Sequence, residues 1–122
     1  MQNTANRKGY MAFSINVTNT AAKWIDLVKA QLGIDLTNSG SWREIQFQVD
    51  PETSGGDIRI GDGSLGTTAS GNSVVQKGVT LIGGGAADTY RVSGANAIYG
   101  NMMYVQATTN VTVVLNIQLL EE

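Results

Sequence analysis

The chain has neither cysteine nor histidine among its 122 residues. Without them there are no disulfide staples, no thiol nucleophile and no imidazole base, and the ligands of most transition-metal sites are missing. Charge is scarce as well: 15% of residues are charged, against roughly 25% in a typical soluble domain. The formal net charge of −2 provides no basic footprint for nucleic acid. The only adjacent basic pair is Arg7-Lys8. No apolar run is long enough to cross a membrane as a helix, and the leader MQNTANRKGY lacks the apolar stretch of a secretory signal, so neither a membrane nor an export route is expected. The single proline is Pro51.

Gly, Thr, Asn, Ser and Gln supply the polarity that charge does not, a composition common in β-rich shell, fibre and extracellular proteins. The length suits one domain with a real core. Residues 1–9 are expected to form a flexible arm and residues 10–122 one domain.

Along that domain the period is mostly two. In 10–18, Met11, Phe13, Ile15 and Val17 alternate with Ala12, Ser14, Asn16 and Thr18, the pattern of a half-buried strand. The period changes over 20–32, where Ala21, Trp24, Ile25, Val28 and Leu32 share one helical face. Asn19 or Thr20 is expected to cap this one helix and Gly33 to end it. Further strands are read at 42–50, 57–60, around Val79 and Leu81, at 89–92, 102–107 and 111–119. Asp50-Pro51 stops the 42–50 strand, because proline cannot donate to a ladder. Seven or eight short strands with polar turns predict an all-β fold, an antiparallel sandwich or barrel.

The string Gly61-x-Gly63-x-x-Gly66 matches a dinucleotide-binding turn. That turn must open a helix whose N-terminus faces a pyrophosphate, within a parallel βαβ unit. Here Gly66 leads into TTASGNS, which starts no helix, so the glycines are read as a bend from strand to loop.

Acid–base or metal chemistry would fall to carboxylates. Asp50, Glu52, Asp57 and Asp62 gather around Gly55-Gly56 and could offer oxygen ligands to Ca²⁺. Their spacing is not that of an EF-hand, and aspartates at β-turns ordinarily satisfy local backbone N–H groups. No metal and no cofactor is therefore assigned, and no enzyme is expected. Trp24 is read as core, and Trp42, which opens a strand beside a polar loop, as core or as contact surface. Tyr90, Tyr99 and Tyr104 could form a sugar-stacking surface, although strands favour tyrosine anyway. Asn16-Val17-Thr18 and Asn110-Val111-Thr112 fit both the glycosylation pattern and strand alternation.

Three stretches, EIQFQVDPETSGGDIRIGDG, KGVTLIGGG and MYVQATTNVTVVLNIQLL, together resemble small β-sandwich proteins of tailed-phage virions. The shared elements are an alternating strand ending in Asp50-Pro51, a strand from Gly56 through Ile58 and Ile60 to Gly61-Asp62, and Gly78-Val79-x-Leu81 running on to Gly84. Tyr104-Val105 before a valine-rich terminal strand completes them. The resemblance covers the chain from Glu44 onward, and the loop over 61–77 is longer than the pattern. That group includes capsid cement (decoration) proteins with jelly-roll folds, and tail or fibre accessories. The resemblance implies a structural, non-catalytic role at the capsid surface of a virion, after synthesis in the host cytoplasm, with the major capsid protein as partner. A carbohydrate-binding sandwich is the alternative from the residues alone. Arg7, Lys8, Tyr10 and Trp42 are the candidate partner contacts. A homodimer or trimer is expected too, because the 102–107 and 111–119 strands carry no charge that would block an edge.

Overall fold

The structure, a computed structural model, describes residues 10–36, 42–50, 56–63, 65, 79–81, 89–93, 100–108 and 111–121. It is all-β with one short helix. The strands are β1 (Tyr10–Val17), β2 (Ala22–Lys23), β3 (Trp42–Val49), β4 (Ile58–Gly61), β5 (Val79–Leu81), β6 (Thr89–Ser93), β7 (Tyr104–Ala107) and β8 (Val113–Glu121), and helix α1 (Trp24–Leu32) follows β2. They form two four-stranded sheets, ordered β1-β8-β3-β6 and β2-β7-β4-β5. Every pairing is antiparallel. The pairing is also nested: first strand with last, second with seventh, third with sixth, fourth with fifth.

Alternation places the core. On the first sheet Ile15, Val17, Ile45, Phe47, Leu115 and Ile117 point inward and are buried. On the second, Ile58, Ile60, Leu81, Val105 and Ala107 meet them in one continuous cluster. Helix α1 adds Trp24, Ile25 and Val28 to the same core. Trp24 stands edge-on to Phe47 at 5.7 Å, and Phe47 stacks on its cross-strand partner Tyr90 at 6.4 Å.

The helix begins later than its sequence pattern predicts. Ala22 and Lys23 pair with Val105 and Tyr104 of β7, and the Trp24 N–H reaches the Met103 carbonyl at 3.3 Å. At the other end of this stretch the Ala107 N–H donates to the Thr18 carbonyl at 2.8 Å. The chain therefore runs extended along β7 before it can coil. Neither Asn19 nor Thr20 caps α1; the N-cap is Lys23, without a side-chain cap bond. Ala21 lies before the helix, and Leu32 is exposed. Gly33 ends the helix as expected, at φ 74, with its N–H on the Lys29 carbonyl at 3.0 Å. That left-handed backbone is one glycine adopts without a Cβ penalty.

The two uncharged strands at 102–107 and 111–119 are internal. β7 lies between β2 and β4, and β8 between β1 and β3. Their lack of charge reflects burial within a sheet, so it is no argument for a partner. Their starts also shift: residues 100–102 form a 3-10 turn, and β8 begins at Val113.

Candidate interaction surface

The outward positions of the first sheet form three rows. Tyr10, Leu120, Glu44 and Ser93 lie in register; so do Ala12, Gln118, Gln46 and Arg91; so do Ser14, Asn116, Gln48 and Thr89. Strand alternation sends these side chains away from the core that Phe13, Ile117, Phe47 and Tyr90 fill. On β1 and β8 the face holds no charge, only hydroxyl, amide and short apolar groups. Ser14 Oγ donates to Asn116 Oδ1 at 2.6 Å. Toward β6 the charges that do occur neutralise one another: Arg91 Nε sits 2.8 Å from Glu44 Oε2, and Arg91 Nη2 donates to Gln46 Oε1 at 3.2 Å.

Small side chains at Ala12 and Ser14, flanked by longer amides, leave an open depression of about 310 Å³. Ala12, Ser14, Gln48, Asn116 and Gln118 line it, together with Phe13 and Ile117 between them. Such a surface can exchange hydrogen bonds with a partner in both directions, since each amide offers donors and an acceptor. It offers no nucleophile with an adjacent base. In the sequence Ala12 and Ser14 stand on the polar side of the first strand's alternation, with no role attached to them. The signal was available in outward positions that read Ser, Asn and Gln where Lys and Glu are usual.

The residues singled out beforehand fare differently. Tyr10 is on this face and 61% exposed. Arg7 and Lys8 lie outside the described residues. Trp42 is corrected: at 2% exposure it belongs to the core, and its Nε1 donates to Asn101 Oδ1 at 3.1 Å, so its ring is not offered to a partner. Asn101 in turn donates to the Leu36 carbonyl at 3.4 Å, which ties Trp42 to the segment after α1. Trp24 is core, as read, and its Nε1 donates to the Gly100 carbonyl at 2.7 Å.

Tyr90 and Tyr104 share no stacking surface. Tyr90 is on the first sheet and turned toward Phe47, Tyr104 is on the second sheet, and Tyr99 lies outside the described residues. Of the four carboxylates near Gly56, Glu52 lies outside the description. Among the described residues no three acidic side chains come together in a way that could hold a metal. The backbones of the other three serve local structure. The Asp50 N–H donates to Val114, the Asp57 carbonyl accepts from Thr108, and the Asp62 carbonyl accepts from Leu65. In the glycine string Gly61 pairs with Tyr104 and Gly63 packs beside the same ring, while Gly66 is outside the description. Both neighbours of β4 are antiparallel, so the parallel unit of a dinucleotide fold does not surround it.

One buried charge stands out on the other sheet. Arg59 of β4 is 4% exposed, faces away from the core, and lies opposite Gln106 of β7. Its Nε has no hydrogen-bond partner among the described residues. Gln106 Nε2 donates to the Asn19 carbonyl at 3.1 Å. No family matches this chain, and no curated protein or solved structure matches it either.

Proposed function

We propose that the protein is a non-enzymatic cement protein of a tailed-phage virion. In this reading it binds the outer capsid across seams between major capsid subunits and stabilises the shell. The observation that carries the reading is the uncharged polar face of β1 and β8, continued by Gln48 and Gln46 of β3, which suits a fixed protein partner better than a reaction. Nested pairing of eight strands also supports it. A long antiparallel ribbon wound on itself pairs first with last and inner with inner, and double-sheet jelly rolls of this kind recur in viral capsid and lectin domains. Bridging a seam stabilises the assembled state by mass action, because the protein binds the shell and not the free subunits. Many modest contacts on one shell then act together at high effective concentration. Tyr10 anchors the edge of the contact, and Arg7 and Lys8 of the leader pair with acidic capsid groups.

The test is co-sedimentation with undecorated capsids at low salt. The wild-type chain is expected to pellet with them. Asn116→Arg and Gln48→Arg, which place charge in the face without touching the core, are expected to stay in the supernatant while melting normally. A tail or fibre accessory would leave capsids unbound and enrich in tail fractions. A carbohydrate-binding module is the second reading. It is favoured by the amide-lined depression with exposed Tyr10 on the same face, an arrangement of polar groups beside an aromatic ring that suits sugar hydroxyls. A glycan array decides for or against it.

A further inference from the structure

The two ends of the β1 edge are treated differently. Among the described residues, β1 lies at the border of the first sheet and pairs only with β8. At its far end the Gln31 side chain acts as a substitute strand. The Asn16 N–H donates to Gln31 Oε1 at 2.8 Å, and Gln31 Nε2 donates to the Asn16 carbonyl at 2.8 Å. Asn16 therefore turns its backbone groups away from β8. Consistently, Val114, opposite Asn16, gives its carbonyl to Asp50 on the β3 side. The register runs unbroken from Val17 to Tyr10. By the period of two, Ser14, Ala12 and Tyr10 also point their N–H and C=O groups outward, and the intervening residues make the ladder to β8. Among the described residues, no side chain closes the edge at these three positions.

We propose that this open stretch, Tyr10 to Ser14, pairs antiparallel with the same stretch of a second copy of the chain about a two-fold axis at Ala12. Three observations select a second copy. First, the register is self-complementary. Ala12 faces its own counterpart, Tyr10 faces Ser14, and each exchanges both backbone bonds with its opposite number. Second, Met11 faces Phe13 across the join. Both are only half-buried in the single chain, and pairing covers the remainder of two apolar side chains that already pack on the core. Third, β1 carries no Lys, Glu, Asp, Arg or Pro to repel or block its copy, the devices that normally protect an exposed edge. Gln31 limits the ladder, since the edge is already occupied at Asn16.

The result is a continuous sheet of eight strands, with the two polar faces on the same side. The pairing stands whether or not the capsid reading holds. If both hold, each dimer presents two seam-binding faces in a fixed relation.

The chain has no cysteine, so a single introduced thiol reports the geometry cleanly. Opposed residues of a hydrogen-bonded antiparallel pair lie about 5.5 Å apart at Cα, within the roughly 4.4–6.8 Å that a disulfide needs. Ala12→Cys is expected to form a disulfide-linked dimer readily on mild oxidation. In Ser14→Cys the thiols are displaced by about four residues, roughly 14 Å, and no such dimer is expected. Sedimentation of the unmodified chain should show a monomer–dimer equilibrium. Ala12→Pro should abolish the dimer without disturbing the fold, because the N–H it removes is not used within the chain; unchanged thermal melting of the monomer checks this. A wild-type chain that stays monomeric overturns the proposal. So does a dimer that survives Ala12→Pro in a folded chain, or crosslinking at 14 in preference to 12.

Discussion

The Trp24 indole N–H donates to the Gly100 carbonyl at 2.7 Å inside the sandwich, joining residues 76 positions apart in the chain. Gly100 is buried, and a Cβ there would overlap Ile45 Cδ1. The helix, the turn before β7 and the centre of β3 therefore meet at one point, where any added side chain would have to displace the Ile45 δ-methyl. Trp24→Phe keeps most of the apolar volume but removes one of the two donors to that carbonyl, which keeps the Met103 N–H at 3.1 Å. The net contribution of one such hydrogen bond is about 0.5–1.5 kcal/mol. Chemical denaturation is expected to show a loss in that range.

Phe47 is the larger test of the core. It is fully buried, lies between Trp24 and Tyr90, and sits on the middle of the first sheet. Phe47→Ala is expected to cost about 3–5 kcal/mol. A measured loss under about 1 kcal/mol, typical of surface changes, would contradict the inward face assigned to β3.

At Gly33 the backbone, not packing, sets the expectation. A Cβ there meets nothing within 4 Å, yet φ is 74. Gly33→Ala is therefore expected to cost roughly 1–2 kcal/mol from the left-handed conformation alone, and Gly33→Asn less, since asparagine tolerates that region. Equal stability of all three chains would contradict the cap geometry.

The faces of the long strands were readable in the residues because β1, β3 and β8 alternate over eight or nine positions, and alternation is a direct record of which side is wet. β2 was not readable. Two residues, Ala22 and Lys23, carry no period, and their extended state is imposed by β7, far away in sequence. The helix start was misplaced for the same reason. Trp42 shows a related limit: the polar loop before it suggested exposure, while its burial depends on Asn101 and Leu36 arriving from elsewhere. Strand order has no local signature, so the nesting of the pairs was invisible. The lack of charge over 102–107 and 111–119 pointed equally to an interior strand and to a covered edge. The candidate face was half visible: alternation puts Ser14 on the polar side of its strand, but only the register brings Ser14, Asn116 and Gln48 into one row.

The most direct measurement for the cement reading is the thermal disruption temperature of undecorated tailed-phage capsids, with and without saturating protein. A seam-bridging protein that binds only the assembled shell should raise that temperature, and the rise should grow with free protein concentration as mass action requires. The Asn116→Arg chain should produce no rise. Capsids that disrupt at the same temperature with and without the wild-type protein would contradict the account.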